Sequence, residues 1–238
     1  MTKLTLGRTI QQNTFHLSEK TLSSLTDIMY EQHVEAGTYL FWEGDTADKL
    51  FYIKKGHVKL TKSTSDGKEY ILNMFDNGDL FGELSSFMSI NYSYNAMAIT
   101  DCTIGVIQQK DLEVILWQHG EIAVEFLKWT QLLNQITQSK LRDLTFHGKL
   151  GALCSTIIRM ANSYGETFED YIRITKKVKN GEIGEYIGAT RESVNRMLSD
   201  LRTKGILGQE NGYILVHDLK ALKDICHCEG CPLEICRM

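Results

Sequence analysis

Four of the six cysteines in this 238-residue sequence, Cys226, Cys228, Cys231 and Cys236, crowd into its last thirteen positions. Thiolates at such short spacing suit zinc or an iron–sulfur cluster, and a Cys-x-x-Cys turn can place two sulfurs on one centre. Cys228, Cys231 and Cys236 form the core triad, and Pro232, the single proline, stiffens the chain between them. A fourth ligand is open between Cys226 and the adjacent His227. The competing chemistry is a metal-free regulatory disulfide. In a reducing compartment clustered thiols read as metal-binding or redox-active rather than as structural disulfides. Cys102 lies in a β-rich run and Cys154 beside Leu153 and Ile157, so both are expected to be buried core thiols.

A second constellation reads as a nucleic-acid surface. In Gly181–Leu201, Ile183, Tyr186 and Ile187 give one short helix an apolar face, and Gly188 stands where that helix must stop with positive φ. Thr190 is a good N-cap for a second helix, with Ser193 three residues on. Val194, Met197, Leu198 and Leu201 form the buried face of that helix and leave Arg191, Glu192, Asn195 and Arg196 outside. Two short helices joined by such a turn are a DNA-reading unit. Asn211-Gly212 then marks a tight hairpin between apolar runs, which is the wing of a winged helix-turn-helix. Between Lys176 and Lys204 seven basic residues face four acidic ones, an excess of three positive charges on a chain of net charge −4. DNA contact is therefore expected from a local patch.

The remaining elements must position these two sites. Hydrophobic residues make up 42% and charged residues 24%, ordinary for a soluble globular protein. No apolar run is long enough to span a bilayer, and Met1–Arg8 has no apolar export core, so a cytoplasmic protein without membrane association is expected. From about Val34 to Ile107, short β-rich runs are punctuated by Gly37, Gly44, Gly56, Gly67 and Gly78, the pattern of an antiparallel barrel or sandwich. From Asp111 onward there is a long stretch without proline and with little glycine. Ile122, Phe126, Trp129, Leu133 and Ile136 then alternate spacings of four and three, continuing through Lys140 and Asp143. One helix of about 30 residues is expected, its seam either packed on the chain's own core or joining two subunits as a coiled coil. We expect the second.

This order of strand-rich barrel, long helix and winged helix-turn-helix resembles the superfamily of the cyclic-AMP receptor and the fumarate–nitrate reductase regulator, from about Phe15 to His217. Phe81-Gly82-Glu83-Leu84 resembles its phosphate-loop motif. The resemblance implies an α+β fold: an N-terminal antiparallel β-roll of the cupin or cyclic-nucleotide-binding kind over residues 1–110, a dimerisation helix over 111–146, a winged helix-turn-helix over 147–217 and a metal-binding tail over 218–238. Where nucleotide-binding members carry an Arg-Ser pair, this chain has Ser93-Tyr94-Asn95-Ala96, and no Arg or Lys occurs between Lys68 and Lys110. A buried cyclic phosphate needs such a cation, so no cyclic-AMP binding is expected.

A Cys-x-x-Cys-x-x-x-x-Cys tail after the DNA-binding domain is similar to that of the bacillary oxygen regulators of this superfamily, whereas enteric members carry their cysteines near the N-terminus. That likeness implies a [4Fe–4S] cluster on Cys228, Cys231 and Cys236, with Asp143 in the place of the aspartate ligand at the end of the dimer helix. Zinc is the alternative metal. Arg191-Glu192-x-x-x-Arg196 resembles the cyclic-AMP receptor's recognition helix, with Asn195 before the last arginine, and implies TGTGA-type half-sites rather than TTGAT. The function expected is an oxygen-responsive, homodimeric regulator of anaerobic respiration and fermentation genes that binds an inverted-repeat operator and works with RNA polymerase. A zinc-stabilised or thiol-based regulator answering another signal is the alternative. A redox enzyme is disfavoured, since no Ser-His-Asp set, nucleotide-binding glycine loop or His-Glu-x-x-His pattern is present.

Overall fold

The computed structural model describes residues 12–84 and 91–238; the expectation for Met1–Arg8 lies outside them. Two units are distinguished, one ending at Leu133 and the other running Asn134–Met238. In the first, α1 (Glu19–Asp27) starts on Ser18, whose hydroxyl accepts from the Thr21 amide. Nothing in the sequence reading anticipated this helix. Eight strands follow: β1 (Tyr30–Val34), β2 (Tyr39–Phe41), β3 (Asp48–Lys55), β4 (Val58–Ser63), β5 (Glu69–Phe75), β6 (Leu80–Leu84), β7 (Asn95–Ala98) and β8 (Cys102–Gln108). They make two antiparallel sheets, ordered β1-β8-β3-β6 and β2-β7-β4-β5. The turn between β3 and β4 needs Gly56, at φ +106°, where a Cβ would come 2.7 Å from the Asp101 carbonyl oxygen. Between the sheets Phe41, Phe51, Phe75, Phe81 and Tyr92 are buried with Val58, Leu60, Ile104 and Val106.

After the roll come α2 (Gln109–Gln118) and α3 (Gly120–Phe146). The single helix expected here is broken at His119, which leaves the helical region at φ −131°, ψ 88°. The expected subunit seam is also corrected. Ile122, Trp129 and Ile136 are buried and Phe126 and Leu133 half-buried. Trp129, Phe126 and Leu133 pack in the first unit with Leu17, Leu25, Leu50, Leu80 and Leu112. Apolar residues at alternating threes and fours mark a stripe that must be covered, and the chain's own core covers it just as well as a partner would.

The second unit continues with α4 (Gly148–Tyr164), β9 (Gly165–Thr167), β10 (Ile172–Ile174), α5 (Asn180–Ile187), α6 (Arg191–Thr203), β11 (Leu207–Glu210), β12 (Tyr213–Val216) and α7 (Leu219–Ile225). Every residue of α4 from Gly151 to Ala161 is buried. It is the axis of a core holding Leu153, Ile157, Met160, Ile183, Val194, Leu198, Leu201 and Ile214. The sheet order β11-β12-β10-β9 adds two short strands to the expected hairpin. The chain is α+β, with an antiparallel N-terminal roll, long helices and a C-terminal winged helix-turn-helix. Among the described residues no helix is long and apolar enough to cross a membrane.

Candidate DNA-reading surface and cysteine site

The helix-turn-helix is built as its residue types require. α5 ends at Gly188, in the left-handed region at φ 61°, ψ 37°. One turn earlier Gly184 is equally constrained, since a Cβ there would meet the Ala189 carbonyl oxygen at 2.4 Å. α6 opens on Thr190, whose hydroxyl accepts from the Ser193 amide at 3.3 Å. Val194, Leu198 and Leu201 are buried, Met197 is half-buried, and Arg191, Glu192, Asn195 and Arg196 are all exposed on the opposite face. Asn195 accepts from the Asn180 side chain at the start of α5, and Lys149 donates to the Gly188 carbonyl. Both ties connect residues far apart in sequence, and the sequence reading missed them.

The wing turns on Asn211 at φ 51° and Gly212 at φ 83°, the paired left-handed residues that a two-residue hairpin needs. The Tyr213 ring sits under two cations, the Arg173 guanidinium at 5.1 Å and the Lys177 ammonium at 4.8 Å. Such contacts orient long basic side chains that would otherwise wander.

The cysteines have a more elaborate setting than their spacing suggested. Asp143, at the end of α3, is 5% exposed. Its Oδ2 accepts from Arg159 at 2.9 Å and from the Ser155 hydroxyl. Its Oδ1 accepts from Arg142 Nη2 at 3.0 Å and Nε at 3.2 Å. Burial alone would push this carboxyl up, but Ser155, Arg159 and Arg142 together hold it below its ordinary value. Arg142 also pairs with Glu229, and both its terminal nitrogens lie 4.0 Å from Cys231 Sγ. Neither arginine was singled out from the sequence.

Cys226 and Cys236 are buried, and Cys228 and Cys231 half-buried, all at the edge of the second unit's core. Burial pushes the Cys226 thiol up to about 11, helped by Cys228 and Asp143 nearby. It raises Cys236 too, against the pull of Arg159. Cys154, inside α4, is pushed up to about 12 by burial and the neighbouring Cys226. Cys102 is buried in β8.

The donor set of soft thiols with one carboxylate, ringed by arginines that favour anions, fits a thiolate-bound metal in kind. As placed, no three His, Cys, Asp or Glu side chains among the described residues stand close enough to share one ion. A metal taken up here would have to deprotonate thiols and draw its ligands together.

In the roll, Gly82 is at φ +129°, and a Cβ there would strike the Lys49 carbonyl oxygen at 2.7 Å. The next residue, Glu83, accepts from the Ser93 amide at 2.7 Å and its hydroxyl at 2.6 Å. The groups at the position of the superfamily's Arg-Ser pair thus bind a carboxylate of the chain itself. Lys62 approaches the same place, donating to the Ser93 carbonyl at 2.7 Å and to Glu43.

Comparison with known proteins agrees with this layout. Residues 31–119 match the family described as "Cyclic nucleotide-binding domain" and residues 151–225 the "Crp-like helix-turn-helix domain". The chain is 42% identical over 216 residues to the "Anaerobic regulatory protein" of Bacillus subtilis, covering 90% of this chain and 91% of that protein. It is 27% identical over 201 residues to the "CRP-like cAMP-activated global transcriptional regulator" of Mycobacterium tuberculosis, covering 84% and 90%. Among solved structures it shares its fold with FixK2 from Bradyrhizobium japonicum, at a TM-score of 0.71 and 22% identity over 83% of this chain and 97% of that one.

Proposed function

The chain belongs to the CRP/FNR family of DNA-binding transcription regulators, and on that premise we propose that it is a homodimeric, oxygen-responsive regulator of anaerobic genes whose switch is the cysteine tail. The observation that carries this reading is Asp143. A buried carboxylate at the end of α3 stands in one electrostatic neighbourhood with Cys226, Cys228, Cys231 and Cys236. The 42% identity to a Bacillus anaerobic regulatory protein supports it.

Cys228, Cys231, Cys236 and Asp143 would hold a [4Fe–4S] cluster, which supplies an oxygen-labile link between the tail and the end of α3. Zinc would make the same link without the lability. The chain's own residues then do the rest. Arg142 and Arg159 offset the negative charge of the ligands, and α7 connects the tail to the wing.

Cyclic AMP has no part in this reading. Glu83 takes the Ser93 amide and hydroxyl, and no Arg or Lys lies between Lys68 and Lys110. Calorimetry is expected to show no cyclic-AMP binding at micromolar ligand.

With the first apolar seam of α3 spent internally, the dimer face moves to the opposite stripe. Val124, Leu127, Gln131, Asn134, Gln138 and Leu141 alternate spacings of three and four, and all are exposed. Val124, Leu127 and Leu141 are more than half exposed. The occupant is a second copy of α3, with Asn134 setting the register. Asp at both Leu127 and Leu141 should give monomers by sedimentation and abolish operator binding. A dimeric double variant would rule this face out.

Two recognition helices about 34 Å apart would meet successive major grooves. Arg191 and Arg196 read guanine, Glu192 accepts from cytosine, and Asn195 lies beside them. We expect an inverted repeat of TGTGA type, recruitment of RNA polymerase from it, and a loss of about 1–3 kcal/mol in operator binding for Arg196→Ala with relaxed choice at one guanine. Recovery of TTGAT half-sites by selection would overturn the base reading.

The deciding experiment is anaerobic reconstitution with iron and sulfide assays, absorption spectroscopy and operator titration. Four irons and four sulfides per chain and at least tenfold tighter DNA binding, both lost in air, are expected. Serine at Cys228, Cys231 or Cys236 should abolish iron uptake, and serine at Cys102 or Cys154 should not. Zinc as the only metal retained would favour the alternative.

A further inference from the structure

We infer that the cysteine tail has a fixed half and a hinged half, and that Arg159 is the positioning residue that builds the fixed half before any metal is taken up. This deepens the metal site proposed above and rests on it. Arg159, Asn162 and Ser163 stand at i, i+3 and i+4 on α4 and so share one face. Arg159 Nη1 donates to the Ile235 carbonyl at 2.9 Å, Asn162 donates to the Cys236 carbonyl at 2.8 Å, and the Met238 amide donates to Ser163 Oγ at 3.0 Å. All three bonds go to the main chain of the tail, so they need neither a cysteine sulfur nor a metal. They bury the end of the chain, with Cys236, Arg237 and Met238 each less than a tenth exposed.

The same guanidinium, 4% exposed, reaches the end of α3, where its Nη2 donates to Asp143 at 2.9 Å and to Ser139 at 3.1 Å. A planar guanidinium presents its donors in a fixed fork. One buried group therefore sets the position of Asp143 relative to the segment carrying Cys236.

The other two core cysteines are held differently. Cys228 and Cys231 lie on the segment His227–Cys231. His227 is left-handed at φ 46°, a conformation side chains disfavour, and Gly230 is left-handed at φ 71°. The Gly230 amide turns back to Cys228 Sγ at 3.5 Å. The loop's ties to α3 all run through Arg142: its pair with Glu229, whose side chain is 64% exposed, and its long 4.0 Å contacts with Cys231 Sγ. Exposed ion pairs of this kind hold weakly. Gathering the ligands then requires the loop to move towards Cys236 and Asp143, with the end of the tail staying in place.

The test uses full-length, metal-free protein and compares wild type, Arg159→Gln, Arg159→Lys and the double variant Asn162→Ala, Ser163→Ala. Amide hydrogen exchange is read over residues 227–238, and cobalt(II) affinity is read from its thiolate charge-transfer band. In wild type, exchange at Cys236–Met238 should be at least tenfold slower than at Glu229–Cys231. Arg159→Gln should remove that difference and weaken cobalt(II) at least tenfold. Arg159→Lys should recover part of the affinity, because an ammonium still reaches Asp143. The double variant should free the tail end while leaving Arg159 on Asp143, which keeps the test decisive if Arg159→Gln does not fold. Uniform exchange along the wild-type tail would overturn the fixed half. Fast exchange in Arg159→Gln with unchanged cobalt(II) affinity would overturn the positioning role. No cobalt(II) uptake by wild type would overturn both the metal site and that role, while the exchange pattern would still report the brace.

Discussion

Each unit of the molecule buries a carboxylate, and the two are held in different ways. Asp79, in the β-roll, is fully buried and accepts from main-chain amides, Asn13 at 2.6 Å and Asp76 at 2.9 Å. Asp143, in the DNA-binding unit, is bound by two arginines and a serine hydroxyl. Backbone amides cannot leave without unmaking the turn they belong to, so Asp79 is a fixed part of the roll. Asp143 is held by side chains instead: Arg159 is buried and fixed, while Arg142, 22% exposed, can turn away, so part of its shell is exchangeable. In the roll, a second carboxylate, Glu83, likewise accepts from the chain itself, at the Ser93 amide and hydroxyl. The second unit has concentrated thiols and guanidinium groups around a carboxylate with one replaceable partner.

The largest effect should come from removing the carboxylate held by side chains. Asp143→Ala leaves the Arg159 guanidinium, whose side chain is only 5% exposed, without its charge partner. Breaking one side of a buried pair costs about 3–5 kcal/mol. All three tryptophans, Trp42, Trp117 and Trp129, belong to the first unit, and the second carries none. Tryptophan fluorescence therefore reports the first unit. In metal-free Asp143→Ala, the far-UV circular dichroism transition of the helix-rich second unit should move to lower denaturant while the tryptophan transition stays put. A common shift of all signals would show that the two units unfold as one, and the comparison would lose its basis.

Asp79→Asn should do the reverse at a smaller size. The amide keeps one acceptor oxygen and turns an N–H towards a main-chain donor. Losing a charged hydrogen bond in the interior costs about 1.5–3 kcal/mol. Here the tryptophan transition should move first. An Asp79→Asn protein with an unchanged tryptophan midpoint would contradict the view that main-chain capping pins the roll.

The two units also differ in how much of them could be read from residue order. The helix-turn-helix was legible because its determinants are local. Gly188 stops one helix, Thr190 caps the next three residues before Ser193, and Asn211-Gly212 closes the wing, each within a few positions. The β-roll was legible as a class from its glycine-spaced strands. α1 was missed although Ser18 caps it and Leu22, Leu25 and Ile28 repeat at helical spacing, because it is only nine residues long; β9 and β10 were missed because three-residue strands carry almost no pattern. The seam of α3 was assigned to the wrong partner, since Trp129 packs just as well on Leu50 and Leu80 as it would on a second helix. Arg142 and Arg159 were invisible for a different reason. Their partners are Glu229 and Ile235, and they lie 87 and 76 positions away.

The smallest expected effect has the opposite sign and falls again in the roll. Thr61, in β4 beside the register shift at Leu60, is fully buried, and its hydroxyl has no hydrogen-bond partner among the described residues. A buried hydroxyl without a partner keeps its desolvation cost and gains nothing in return. Valine has the same branched shape without that group and favours a strand equally. Thr61→Val should therefore stabilise the roll by about 1 kcal/mol. The tryptophan midpoint should rise while the signals of the second unit stay where they are. If Thr61→Val instead lowers that midpoint, the hydroxyl has a partner in solution and the interior of the roll holds water. The contrast between a carboxylate capped by main-chain amides and one held by side chains would then have to be redrawn.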